Sequence, residues 1–152
     1  MSPIRLKPAG LLLFVSVLVC AFAYSEENRF SLARTDYMLQ CQGCHKEDGS
    51  GIEEAVPDLR TYGRYLLSTE DGRRYYVSVP GSAFAPLSDE RLADVLNYII
   101  AAIIEADDIV ATPITSFTAE EVSTYRRGTV ADIGQLRKEL LRGAGGDSEN
   151  EY

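Results

Sequence analysis

The chain has 152 residues, which is enough for one domain with a substantial hydrophobic core. It carries 23 acidic and 15 basic side chains, so its net charge is −8. This balance argues against nucleic acid as a partner, because phosphate binding needs concentrated positive charge. It suits a solvated acidic surface, or a partner that presents a basic patch.

Residues 1–23 have the composition of a secretory signal peptide. Two basic residues precede an apolar stretch over residues 11–22, which is short for a membrane span. Small side chains at Ala21 and Ala23 predict cleavage after Ala23. Cys20 leaves a lipoprotein open, and an uncleaved segment would act as an anchor, so membrane attachment is expected only by one of these routes. We expect export, in a bacterium to the periplasm.

A helix is predicted to lead into the central motif of the chain. Residues 24–30 look like a polar lead-in. Apolar side chains with helical spacing then predict a helix over residues 31–42.

The clearest motif is Cys-Gln-Gly-Cys-His at residues 41–45. Two thiols followed directly by an imidazole are typical of covalent haem attachment, in which Cys41 and Cys44 bond to the porphyrin edge and His45 ligates the iron. The alternatives are a redox or disulfide pair and a zinc site. A redox pair is expected within a βαβ pattern, which is absent, and a closed zinc site needs about four ligands where the mature chain offers three. We predict one haem c bound by Cys41 and Cys44, with His45 as the metal ligand and no catalytic side chain. Because such haem is attached outside the cytoplasmic membrane, the motif agrees with export.

Short elements are predicted between the motif and the next long helix. Residues 48–51 predict a turn-rich loop. The carbonyl of Pro57 is a candidate acceptor for the second ring N–H of His45, and a simple turn proline is the alternative. Residues 59–67 predict a short helix, 70–72 a turn, and 73–79 a helix or an extended segment. Side chains suited to bind haem propionates, or to form an ordinary amphipathic surface, are Arg60, Tyr62, Arg64, Tyr65, Arg73, Arg74, Tyr75 and Tyr76.

The second half of the chain contains one strong amphipathic helix and a helical extension. Residues 80–87 predict a loop, after which Ser88 caps a helix with apolar residues at 3–4 spacing. The extension over residues 105–142 has an extended stretch at 107–117. Its helices are predicted to begin at the Thr118 capping box, running to about Arg127, and at Asp132, running to Leu141. Residues 143–152 predict a disordered acidic tail.

The sequence resembles the small class I (mono-haem) cytochromes c over residues 30–104. The features that carry the resemblance are the helix entering the 41–45 motif, the glycines at 49–51, Pro57, and the helix from Ser88 that contains Tyr98. The resemblance implies an all-α fold, in which a small helical domain surrounds a covalent haem and its first and last helices cross near it. It also implies one-electron transfer to a redox protein partner, such as a dehydrogenase or an oxidase. The extension over 105–142 is expected to pack on this domain.

One departure from the family concerns the second axial ligand of the iron. Family members usually supply a methionine from the loop before the last helix, but residues 80–87 contain no Met, His or Lys. Met38 is expected to pack in the core, and a tyrosinate from Tyr75 or Tyr76 is a further alternative. We therefore expect an open or water-bound sixth position, or a ligand from another chain. The alternative functions are binding of a gas or small ligand and a structural haem subunit of a larger redox enzyme; a stand-alone enzyme is not favoured.

Overall fold

The computed structural model describes residues 25–53, 55–106, 113–128, 130 and 132–143. The predicted signal peptide and residues 144–152 of the predicted tail lie outside this part of the chain. Where the chain is described, its regular elements are helices, and the one exception is an isolated bridge between Ile52 and Val56. The predicted all-α fold class is therefore confirmed. No helix within the described ranges is long and apolar enough to cross a membrane.

The helices follow one another in a simple order. They are α1 (residues 25–40), α2 (Gln42–His45), α3 (Gly63–Leu67), α4 (Glu70–Ser78), α5 (Pro80–Ala83), α6 (Asp89–Ile99) with a π-helical turn (Ile100–Ile104), α7 (Ala119–Arg127) and α8 (Ile133–Gly143). The core lies between α1, α4, α6 and α7, and its most deeply buried side chains are Tyr37, Val77, Leu92, Val95 and Val122.

Helices α1 and α6 are joined by aromatic and charged contacts. The Tyr98 ring of α6 packs against Phe30 and Tyr37 of α1, with ring centroids 5.2 and 5.5 Å apart. The buried carboxylate of Asp36 pairs with Arg91. The predicted polar lead-in is wrong for residues 25–30, which are helical, because Phe30 gains this contact with Tyr98.

Helix α4 begins earlier than the sequence predicts. The predicted turn at residues 70–72 is instead the first turn of the helix. Thr69 caps it by accepting a hydrogen bond from the Gly72 N–H at 3.1 Å, and Glu70 adds a favourable negative charge. The glycine lets α4 approach α3 closely, since a Cβ at Gly72 would lie 1.9 Å from the Leu66 carbonyl oxygen.

The segment predicted as a loop over residues 80–87 contains the single-turn helix α5. Pro80 stands at its first position, where its fixed φ suits a helix and its missing N–H is not needed. The predicted loop is therefore wrong for Pro80–Ala83. Ser88 then caps α6 as predicted, because its side chain accepts a hydrogen bond from the Arg91 N–H.

Helices α7 and α8 lie against α4 and α6. Thr118 caps α7 by accepting from the Glu121 N–H, as its capping box predicts. Arg73 of α4 forms two hydrogen bonds with the Glu121 carboxylate, at 2.6 and 2.7 Å, and its guanidinium lies 3.9 Å from the Phe117 ring centroid. Asn97 of α6 both donates to and accepts from the backbone of Phe117. These part-buried polar contacts hold α7 in place. The predicted tail is wrong for its first residue, because Gly143 belongs to α8.

Candidate haem-binding site

The three predicted site residues line one cavity. Cys41, Cys44 and His45 face a space of about 450 Å³, a size typical of small-molecule and cofactor sites. The other walls come from the loop after the motif and from helices α3, α4, α5, α6 and α8. The lining is mainly apolar, with Leu66, Val79, Leu96 and Ile99 among its residues.

Backbone hydrogen bonds bring the motif into a single turn. The Cys41 N–H donates to the Tyr37 carbonyl at 2.9 Å, which continues the path of α1. The N–H groups of Cys44 and His45 both donate to the Cys41 carbonyl, at 3.1 and 3.0 Å. The two thiols and the imidazole are therefore held close together at the end of α1. Both cysteines are free thiols, Cys41 partly buried and Cys44 exposed. Burial raises the pKa of Cys41 to about 11, and Asp36 and Cys44 add to the effect, so this thiol is neutral at physiological pH.

The chain turns back on itself directly after the motif. Lys46 has a φ of 58°, and Gly51 has a φ of +69°. A Cβ at Gly51 would lie 2.2 Å from the Val56 carbonyl oxygen and 2.7 Å from that of Pro57. Only glycine fits this position, where the returning chain brings Pro57 beside His45.

His45 is held as a neutral imidazole. Burial lowers its pKa, and a weaker interaction with the Pro57 backbone raises it. Nδ1 is buried, and its approach to Pro57 does not reach the geometry of a full hydrogen bond, so this atom has no partner among the described residues. A buried, neutral imidazole beside a backbone acceptor is suited to ligating a metal through its other nitrogen. The predicted role of the Pro57 carbonyl stays a prediction.

The residues present fit a haem. Two adjacent thiols, a neutral imidazole and an apolar cavity are the groups that covalent attachment, axial ligation and porphyrin burial require. Haem bound here would be held by Cys41 and Cys44 through thioethers and by His45 at the iron.

The described walls of the cavity offer no second axial ligand of the usual kind. The lining residues include no methionine, no lysine and no second histidine. Met38 does not reach the cavity; its side chain is 52 % exposed, so the predicted core packing is wrong. Tyr75 and Tyr76 both line the cavity, but burial raises the pKa of Tyr76, and its hydroxyl lies 3.4 Å from the Leu59 carbonyl. These features favour a neutral phenol at Tyr76 over a tyrosinate ligand.

The structure separates the predicted propionate-binding residues into two groups. Tyr62, Tyr75 and Tyr76 line the cavity. The arginines do not line it, and they pair with carboxylates elsewhere: Arg60 with Asp58, Arg64 with Glu105, Arg73 with Glu121, and Arg74 with Asp71.

Arg137 of α8 is a cavity residue that sequence reasoning missed. It is the only lysine or arginine among the described residues that line the cavity, and its Nη1 lies 3.4 Å from the Tyr75 hydroxyl. A signal was present in the sequence, because Arg137 interrupts the apolar i, i+4 series of Ile133 and Leu141. A charge on an apolar helix face indicates a polar partner inside the fold.

Comparison with known proteins agrees with this geometry. The chain is 36 % identical over 105 residues to cytochrome c-552 of Thermus thermophilus, covering 57 % of this chain and 79 % of that protein. The chain belongs to the cytochrome c family. A cytochrome c-552 from a specified strain of Thermus thermophilus matches at the same identity over 70 % of its length. No family model matches the sequence, and no solved structure matches it significantly.

Membership of this family has direct consequences for the chain. It is a c-type cytochrome that takes part in electron transfer, and it carries covalently bound haem c. The relationship also suggests that the cytochrome is exported. The number of haems, their attachment residues and the axial ligands are matters for a proposal.

Proposed function

We propose that this cytochrome is a class I, mono-haem carrier of single electrons in the bacterial periplasm, reached through the signal peptide at residues 1–23. Its one haem is attached through Cys41 and Cys44 and ligated by His45. The observation that carries the proposal is that these three residues meet on one mainly apolar cavity of about 450 Å³. When bound, the haem supplies the reversible one-electron change at its iron.

The side chains of the cytochrome would hold, orient and shield that group. The thioethers at Cys41 and Cys44 prevent its loss. The backbone of Pro57 faces the buried Nδ1 of His45 and favours the tautomer that ligates through the other nitrogen. Val79, Leu96 and Ile99 exclude water from the cavity. No side chain is needed to move a proton, so we propose a carrier and not a stand-alone enzyme.

The partner would be another redox protein, such as a dehydrogenase or an oxidase. The net charge of −8 favours a partner with a basic docking surface, because complementary charge speeds association. Cys44 is exposed, so the porphyrin edge bonded to it would lie near solvent and within reach of that partner.

Cysteine replacement tests the attachment of the haem. The variant with Cys41→Ala and Cys44→Ala should lose all haem that resists acid–acetone extraction, whereas Cys20→Ala should keep it, as the matched control. Wild-type protein should contain one such haem per chain by pyridine haemochrome assay. Normal covalent haem in the double variant would refute the proposed attachment.

A second candidate function is the binding of a gas or small ligand at the iron. The observation that favours it is the lack of a methionine, lysine or second histidine among the described cavity-lining residues. We expect the ferrous protein to bind carbon monoxide without denaturation. A six-coordinate, low-spin ferrous protein that excludes carbon monoxide would rule this candidate out and leave the electron carrier.

A further inference from the structure

Helix α5 and the residues after it form one wall of the haem cavity and have little support of their own. Pro80, Gly81 and Ser82 line the cavity. The helix is a single turn without a side-chain cap, and the Phe84 side chain that follows it is 84 % exposed. The backbone hydrogen bonds of residues 80–87 to one another, such as Phe84 N–H to the Pro80 carbonyl and Leu87 N–H to the Ala85 carbonyl, are all local.

Arg126 of α7 ties this wall to the rest of the protein. Its Nη2 donates to the Ser82 and Ala85 carbonyls at 3.1 and 3.0 Å. Its Nη1 donates to the Leu87 carbonyl at 2.8 Å and to the Asp89 carboxylate at 3.0 Å. Among the described residues, the side-chain hydrogen bonds that reach the backbone of residues 80–87 all come from this one guanidinium.

The Arg126 guanidinium is itself held in place. Its side chain is 15 % exposed, and its charge is balanced by Asp89 in the first turn of α6. The hydrogen bond from Arg126 is the main cause of the lowered pKa of Asp89, so the carboxylate stays ionised at neutral pH. Helix α7 is fixed independently by the bidentate Arg73–Glu121 pair. A planar fork of donors on a fixed helix therefore contacts three carbonyls of a weakly supported wall.

We propose that Arg126 is the positioning residue of the α5 wall and that it limits the access of small molecules to the haem iron. The inference rests on the proposed haem site, since the wall encloses the cavity that His45 and the two cysteines share. Removal of Arg126 frees the wall to move away from the cavity, because the carbonyls of Ser82, Ala85 and Leu87 lose their shared donor.

Carbon monoxide binding to the ferrous, haem-loaded protein tests this role. Loss of three carbonyl contacts should raise the population of the open wall, so Arg126→Ala should bind carbon monoxide roughly tenfold faster than wild type in flash photolysis. Arg126→Lys should give an intermediate rate, because an ammonium group keeps the charge but cannot match the planar fork. Arg127→Ala, a change of the exposed neighbour in the same helix, should leave the rate unchanged.

Two further variants separate wall positioning from general stability. Arg73→Gln removes the other attachment of α7, so it should lower the unfolding temperature while leaving the rate unchanged. Should Arg126→Ala not fold, a wild-type rate in Arg126→Lys would overturn the inference. A haem-loaded Arg126→Ala protein that binds at the wild-type rate, or an equal acceleration in Arg127→Ala, would overturn it as well. Wild-type protein without covalent haem would overturn both the proposed function and this inference.

Discussion

The hydroxyl of Tyr37 donates a 2.6 Å hydrogen bond to the carbonyl of Lys46, the residue that follows His45. Tyr37 is 1 % exposed and packs on Tyr98 of α6. One buried side chain thus joins α1, α6 and the turn after the attachment motif. The bond holds the turn at Lys46, where φ is 58°, in a conformation that a free chain seldom adopts.

Replacing Tyr37 by Phe should destabilise the protein while keeping the aromatic packing. The Lys46 carbonyl loses its donor, and we expect the free energy of unfolding to fall by about 1–2 kcal/mol. Urea unfolding of the haem-loaded variant would measure this. Tyr65→Phe is the control, because Tyr65 is 37 % exposed and should tolerate the change. Equal stability of the two variants would contradict a role for the Tyr37 hydroxyl.

Replacing Gly51 by Ala should disturb the path from the motif to Pro57. The added Cβ would have to adopt a φ of +69° and approach the Val56 carbonyl oxygen to 2.2 Å. Left-handed strain alone costs about 1–2 kcal/mol, and the clash adds to it. We expect a clear fall in unfolding temperature and a changed haem absorption spectrum. Gly134→Ala in α8 is the control: its Cβ would meet its nearest atom at 3.4 Å, and alanine favours a helix.

The Asp58–Arg60 pair predicts a pH dependence of stability. The Arg60 Nη2 donates to Asp58 at 2.7 Å, and this side-chain bond is the main cause of the lowered pKa of Asp58. Because the pKa is lowered from its ordinary 3.8, the ionised carboxylate stabilises the fold above that pH. The contribution is lost as the pH falls through the lowered pKa of the folded state.

Arg60→Gln should reduce that dependence. The variant should be less stable than wild type at neutral pH, and the difference should shrink as the pH falls below about 4. Urea unfolding across this range measures the effect. Arg34→Gln breaks an exposed pair with Glu47, at 3.6 Å, and should change stability by only about 0.2–1 kcal/mol. A difference between Arg60→Gln and wild type that stays constant at all pH values would contradict the assignment.

Removing the positive charge of Arg137 should lower the reduction potential of the haem. A cation beside the cavity favours the form of the haem that has gained an electron, so Arg137→Gln should lower the potential by tens of millivolts, on the order expected for one partly screened charge. Spectroelectrochemical titration measures this shift. Lys138→Gln is the matched control, because the neighbouring side chain is exposed and lies outside the cavity. Equal potentials in the two variants would show that Arg137 does not act on the haem.

Local patterns in the sequence were enough to predict the main helices and the candidate attachment residues. Helix α6 has a Ser88 cap and apolar residues at 3–4 spacing, and α7 begins at the Thr118 cap; both features are written in a few consecutive residues. The motif at 41–45 is equally local, since its two thiols and its imidazole lie within one turn.

Boundaries that depend on long-range packing were predicted less well. Residues 25–30 read as polar, but Phe30 packs on Tyr98, far away in the chain, and the helix extends over them. Gly72 read as a turn residue, whereas the structure uses it for the close approach of α4 to the Leu66 carbonyl. In both places the deciding partner lies outside the segment whose pattern was read.

The sequence by itself determined that this is a helical protein whose Cys41, Cys44 and His45 stand together, because that information is local. Only the tertiary structure decided what encloses them. The arginine that reaches the cavity is Arg137, and the arginine that holds the α5 wall is Arg126; both come from helices that follow the attachment motif by more than 70 residues. Four arginines nearer the motif pair with carboxylates instead. An arginine's partner is set by whichever carbonyl or carboxylate the fold brings to it, and no spacing in the sequence specifies that contact.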